Sequence, residues 1–405
     1  MKGLHWAWAI LGVCFIDLFL NYSIRLGFGI ILPEMIGELH INRTQAGAIY
    51  NFFLASYILL TPFTGNLTDR LGARRVITIS SILLGAGTFL MGTSKSFLSA
   101  CAYFAIAGAG SSGIWTPVIT VIQKWFGEKR RGMALGILST GYGLGFAVMG
   151  WLFPILVGAF SWRICWYMLG AITLLMVIIN GRFLRSSPEH LGILPWGEDA
   201  SLYKKEIDKG SSEGVRFIEV FRSPQFWTVG ISYLFTSCAL YLITTFMVDY
   251  ANLEIGMSFR DASFLATVHG LSQIVGVLTI PILSDIIGRK YTLTMTNFLV
   301  ASSIGGILLS GGSKTYLYAS IALLGIAYGP TWPMYGACGG DYFRKEVMGT
   351  VIGAWTPLYG VGAILAHFTG GRIRDITQSF RLSFIIAIIL ALLSALIIQR
   401  LPRRK

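Results

Sequence analysis

The chain has 405 residues, 54% of them hydrophobic and only 13% charged. Soluble domains carry roughly 25% charged residues, so a water-soluble globule is excluded and lipid is the solvent for most of the chain. The net charge of +13 does not point to nucleic acid, which requires a contiguous basic face, because the basic residues sit in short clusters between long apolar runs. Cys14, Cys101, Cys165, Cys238 and Cys338 are scattered singly through apolar segments. No pair has metal-ligand spacing or suggests a disulfide framework, and no metal or cofactor is expected.

A membrane-crossing helix needs ~20 mostly apolar residues. Runs of that kind fall at 7–33, 44–66, 76–94, 98–122, 132–157, 162–182, 224–248, 261–284, 291–311, 315–339, 348–370 and 379–399. The first reads as an uncleaved span and carries two full charges, Asp17 and Arg25. Each costs ~2.5–3.5 kcal/mol in hydrocarbon, so each is expected to face an interior cavity. They stand ~12 Å apart at 1.5 Å per residue, too far to pair directly; water, Asn21 or substrate must intervene. Arg25 offers a fixed fork of donors that suits a carboxylate or similar oxyanion, making it the candidate for the substrate's anionic group. Asp17, partly desolvated, is a candidate proton carrier, with a satisfied structural acid as the alternative.

The second run adds Asn51 as a polar tip. The fourth holds Trp115 beside Pro117, and the fifth has Gly141, Gly143 and Gly145, small residues that permit close helix crossings in lipid. The polar stretch 183–223, with Pro188, Pro195 and Gly210, reads as a linker. Tyr241 lies in the seventh run. His269 and Gln273 in the eighth are one helical turn apart and share a face. His269 is a candidate for proton or substrate contact, or else a hydrogen-bonded neutral core histidine. Trp332, Pro333 and Tyr335 follow in the tenth run. Prolines here free backbone carbonyls, tolerated where they line a cavity or find a partner. Gly360 and Gly362 lie in the eleventh; His367, near its outer end, reads as structural.

Lysine and arginine concentrate at the two chain ends and on the connections after the second, fourth, sixth, eighth and tenth runs. The positive-inside rule therefore places both termini in the cytoplasm, in a cell (inner or plasma) membrane. The sequence also repeats. Residues 65–75 recur at 281–291, setting Asp69 on Asp285 and Gly72 on Gly288. Trp115, Gly132, Gly136 and Tyr142 recur, about 217 residues on, as Trp332, Gly349, Gly353 and Tyr359. The expected fold is an all-α membrane protein of twelve transmembrane helices in two pseudo-symmetric six-helix bundles, 1–182 and 224–405, joined by a cytoplasmic linker, 183–223. Parallel repeats of this kind put substrate sites near the midplane between halves.

The loop after the second run reads Gly65-x-Leu67-x-Asp69-Arg70-x-Gly72-x-Arg74-Arg75, and with its echo at 285–290 the chain resembles the major facilitator superfamily along its whole length. Lys124-Trp-Phe-Gly-Glu-Lys-Arg-Arg-Gly132, Pro188-Glu-His-Leu-Gly-Ile-Leu-Pro195 and Pro224-Gln-Phe-Trp227 look like the organic-anion branch that includes monocarboxylate transporters and the oxalate:formate antiporter. The aspartate-glycine-glycine signature of animal monocarboxylate transporters and a helix-eight arginine of anion-carrying relatives are missing. The resemblance implies a gate built from Gly65, Asp69, Arg70, Gly72, Arg74, Asp285, Gly288 and Arg289. A carboxylate at such a position can cap the positive end of a neighbouring helix. Asp69 would brace the eleventh helix near Met348, and by the repeat Asp285 would brace the fifth near Gly132.

The sequence thus predicts a secondary active transporter of a small organic anion, working by alternating access, coupled to protons or exchanging a counter-anion. Its proposed substrate contacts are Arg25, Asn51, Trp115, Tyr241, His269, Gln273, Trp332 and Tyr335, with Asp17 and His269 for protons. A neutral or cationic solute held by Asp17 is the alternative. A drug exporter fits less well, since the fifth run lacks Gly-Pro-x-x-Gly-Gly and the fourth lacks an arginine. An enzyme is not expected, because the spans offer no cluster of catalytic groups, and no nucleotide-binding loop is present.

Overall fold

The computed structural model describes residues 5–197, 217–343 and 348–402. Its spanning helices are α1 (Trp6–Leu39), α2 (Arg43–Leu71), α3 (Ala73–Met91), α4 (Phe97–Ser111 and Trp115–Trp125), α5 (Glu128–Ala159), α6 (Trp162–Phe183), α7 (Pro224–Thr244 and Met247–Leu253), α8 (Phe259–Ile287), α9 (Arg289–Leu308), α10 (Lys314–Tyr328 and Thr331–Tyr342), α11 (Met348–Thr377) and α12 (Arg381–Ile398). Eleven are long and apolar enough to cross a bilayer; α10 is divided into segments too short to count alone.

Three spans expected to be continuous are broken near their middles. In α4, Pro117 cannot donate to Gly113, and the chain tightens to three-residue turns from Ser111 to Ile114. α10 breaks at Gly329–Pro330, in the repeat-equivalent place. α7 breaks at Thr245–Phe246 without a proline, where Phe246 N–H reaches back to Ile243 rather than one residue further.

The helices form two bundles, α1–α6 and α7–α12, meeting along α2 with α11, α5 with α8, and α1 with α7. The two main crossings are copies of one another. On one side Gly47 lies against His367, where a Cβ would come within 2.6 Å of the carbonyl oxygen, and Asn51 donates to Ile364 O at 3.2 Å. On the other Gly150 lies against Ser263 and Thr267, and Thr267 donates to Ala147 O at 2.8 Å. Only glycine admits so close a backbone.

The first and last described residues, His5 and Pro402, lie at one face, the chain-end face, together with the α2–α3 and α8–α9 turns. Gly72 and Gly288 in those turns have φ of +82° and +88° with ψ of 147° and 145°, one positive-φ conformation used twice. Residues 198–216 of the expected linker, and Gly210 with them, lie outside the described residues. Its first part is not free chain: Trp196 exchanges backbone hydrogen bonds with Trp125 and Gly127 and packs its ring on Trp8 and Phe126.

Candidate functional site

Arg25 on α1 is 3% exposed, and among the described residues it forms no ion pair. Its guanidinium donates to the Tyr241 hydroxyl on α7. It also lies 5.3, 5.8 and 5.9 Å from the ring centres of Tyr57, Tyr241 and Tyr22, within the range of cation–π attraction. Arg25 and Tyr241 are 216 residues apart, so they occupy equivalent places in the two repeats and meet between the halves. The rings soften the burial without neutralising the charge. Among the described residues Arg25 Nε makes no hydrogen bond of ordinary geometry, nor do the buried hydroxyls of Tyr50, Tyr142 and Tyr359 nearby.

Toward the chain-end face the site is walled by aromatics from both halves. Trp115 and Trp332, each at the start of the second segment of a broken helix, meet at 6.1 Å between ring centres. Tyr142 packs on Trp115 and Tyr22, and its repeat partner Tyr359 packs on Trp332 and Tyr241. Tyr22, Tyr57, Tyr142 and Tyr359 were not among the sequence-predicted contacts. The spacing of Tyr22 three residues before Arg25, and the Tyr142–Tyr359 repeat, were the signals available.

The other expected residues divide. Asn51 reaches the site through His367, whose Nδ1 it accepts from at 2.8 Å, and His367 packs beside Tyr50 and Tyr241. His269 and Gln273 do share a face and bond at 2.8 Å; the His269 ring lies against Phe146 and Tyr328, with Nε2 unpartnered. Tyr335 stacks on Tyr233, but its hydroxyl is turned into the second half, bonded to Ser232, Thr236 and Ser394.

Asp17 is buried in the first half between α3 and α6, accepting from Asn180 at 2.9 Å, while Asn180 also reaches Ser81. Eight residues at 100° each turn Asp17 roughly 80° from Arg25 around α1, enough to aim them at different neighbours. Of the three bridges expected between them, water, Asn21 or substrate, Asn21 is turned elsewhere. Its carbonyl is taken by Ser111 at 2.7 Å.

At the chain-end face Asp69 and Arg70 are exposed and make no hydrogen bond or ion pair with another described residue. Gly65 has open space around it. Arg74 is tied to the end of α6, donating to Gly181 O and to Ser186. Asp285 does not reach α5: it pairs with Arg289 at 3.2 Å, Arg289 pairs with Asp341 at 2.7 Å, and Gly132 has open space where a contact was expected. Among the described residues no ion pair joins the halves at this face; residues 344–347, next to the expected Asp69 brace at Met348, lie outside them.

The opposite, far face is sealed. Arg43 at the start of α2 forks onto the buried Asp249 of α7. Asp375 of α11 accepts from Arg43 N at 3.0 Å, Thr44 N at 2.8 Å and the Thr44 hydroxyl at 2.6 Å, capping the positive end of α2 from the other half. Arg374 lies 3.5 Å from Glu254, which also caps the turn into α12. Among the described residues no group of His, Cys, Asp and Glu could hold a metal ion.

The sequence profile of the Major Facilitator Superfamily matches residues 13–367 and, separately, 229–405. The chain is similar to a hexuronate transporter of Bacillus subtilis, 22% identical over 95% of this chain and 92% of that one. It is similar also to monocarboxylate transporter 4 of Gallus gallus, 23% identical over 97% and 82%. A solved bacterial homolog of the human lysosomal transporter Spinster, in an inward-facing and occupied conformation, superposes with a TM-score of 0.78 at 16% identity, covering 98% of this chain and 97% of that one.

Proposed function

The chain belongs to the Major Facilitator Superfamily and is a secondary transporter of a small organic solute; from that premise we propose that the solute is an organic anion whose charged group docks on Arg25. The observation that carries this reading is a buried guanidinium between the halves with, among the described residues, no acid paired to it and one nitrogen left without a hydrogen bond. A buried, unpaired charge is strongly unfavourable, whereas an arriving carboxylate both neutralises it and supplies the missing acceptors. Tyr241 orients the guanidinium. The free hydroxyls of Tyr50, Tyr142 and Tyr359 offer further donors, and Trp115 and Trp332 wall the solute's body. The named relatives that carry hexuronates and monocarboxylates are in keeping with a carboxylate.

The transport cycle follows from opposite ends of one interface. With the far face sealed by Arg43, Asp249 and Asp375, the proposed route to the site runs from the chain-end face past the Trp115 and Trp332 rings. Closing that face lets Asp69 and Asp285 brace α11 and α5, with Gly65, Gly72 and Gly288 shaping the turns and Arg70, Arg74 and Arg289 supplying countercharge. We place the chain-end face in the cytoplasm of a cell membrane, and the halves at 1–182 and 224–405, on the distribution of basic residues and the repeat. The anion moves with a proton or against a counter-anion. Against the alternative of a neutral or cationic solute on Asp17 stands that residue's place inside the first half, bonded to Asn180.

The test is competition in proteoliposomes. Uptake of radiolabelled carboxylates, mono- and dibasic, is measured with each unlabelled acid and its amide as competitor. Acids should compete and amides should not, by roughly ten- to a hundredfold, the weight of a hydrogen bond to a charged group. Equal competition by amides contradicts the anion reading.

A further inference from the structure

We propose that His367 takes up the co-transported proton, and that it does so when an anion neutralises Arg25. The inference rests on the anion reading above and selects proton coupling over exchange.

Position is the first argument. His367 is fully buried on α11, at the crossing where α2 of one half meets α11 of the other. Its ring lies 4.4 Å from Tyr50 and 5.4 Å from Tyr241, and Tyr241 holds the Arg25 guanidinium. One tyrosine thus separates the imidazole from the proposed anion site.

The second argument is the hydrogen bonding. Asn51 uses its amide nitrogen on Ile364 O, so its oxygen faces His367 and Nδ1 is the donor at 2.8 Å. Nε2 stands 2.9 Å from the Thr245 hydroxyl on α7. In neutral histidine Nε2 accepts from that hydroxyl; with a second proton on the ring, Nε2 donates and the hydroxyl rotates to accept. The network therefore admits a proton without losing a bond, and it ties α2, α7 and α11 together in both forms.

Third, the crossing does not need an imidazole. The copied crossing of α5 with α8 places Gly150 where His367 stands in the repeat, and it closes with glycine against Ser263 and Thr267. Gly47, Asn51 and Ile364 are exchanged for Ser263, Thr267 and Ala147 as well, but only His367 brings a titratable group to the joint.

The groups facing the ring are Tyr50 and Asn51 from α2 and Tyr241 and Thr245 from α7, with Arg25 of α1 beyond Tyr241. Asp249 and Asp375, on the far-face side, are already engaged by Arg43 and Thr44. With Arg25 unneutralised, a second cation beside it is repelled; with an anion bound, it is favoured. By linkage each ligand then raises the other's affinity by the same factor.

Proteoliposomes separate the outcomes, using the carboxylate panel as probe. One proton moving with each singly charged anion makes a one-unit pH gradient drive about tenfold accumulation in wild type. His367→Gln should keep anion-for-anion counterflow and lose the accumulation, its ratio falling to about one. Retained accumulation in His367→Gln overturns the assignment and leaves the anion reading standing. No uptake of any panel anion by wild type removes both. Should His367→Gln show no counterflow, the near-isosteric Thr245→Val keeps the ring and removes its Nε2 partner. Counterflow with a displaced pH midpoint of accumulation supports the assignment, and an unmoved midpoint overturns it.

Discussion

At the far face an acid of one half, Asp375, takes the two leading amides of α2 in the other half, and Arg43 locks beside it on Asp249. At the chain-end face the acids suited to the same task, Asp69 and Asp285, face solvent or a neighbour in their own half. On the proposed cycle the chemistry is shared, a carboxylate capping the positive end of a helix across the interface, and in this structure only the far-face cap is formed among the described residues. A carrier must not open at both ends at once, and interchangeable caps of comparable strength let it exchange one seal for the other with a small net change in free energy.

The largest effect is expected where the halves cross. Gly47→Leu puts a side chain where even a Cβ would press on the His367 carbonyl. Overpacking of this kind costs ~1–3 kcal/mol or more, so transport should vanish and the thermal unfolding temperature should drop; wild-type values of both would show that the crossing is slack.

A smaller effect is expected from Asp375→Asn, which weakens one charge-assisted cap by ~1–2 kcal/mol. The five native cysteines are buried, so labelling of an added Ile41→Cys by a maleimide reports far-face opening over a low background. Labelling should rise about tenfold for 1.4 kcal/mol. No rise would mean that the cap contributes nothing to the seal.

Smallest in this state is Asp69→Asn. Its acid has no partner among the described residues, so far-face labelling should not increase, while transport should fall because the alternate seal is weakened. Undiminished uptake by this variant would remove Asp69 from the gate.

How much of this was readable from the chain depends on what the solvent imposes. Lipid demands long apolar runs, so the spans and the repeat stood out, and a lone arginine within one of them could not be missed. The breaks in α4, α7 and α10 were hidden because they fall inside runs whose composition stays apolar across Ser112–Ile114 or Gly329–Pro330. Asp17 and Arg25 share a helix, but a rotation of roughly 80° sends one into its own half and the other between the halves. Tyr57 and Tyr359 are ordinary span aromatics until folding sets them near one guanidinium. Asp375 looks like a loop acid because its partner Thr44 lies 331 residues away, and no local pattern connects them.

The account turns on Arg25 as the anion's partner, and counterflow of a labelled panel carboxylate by Arg25→Gln against wild type tests it most directly. The account predicts that counterflow falls at least about tenfold, the loss of one charge-assisted contact, in protein that still inserts and folds. Wild-type counterflow by Arg25→Gln would contradict it.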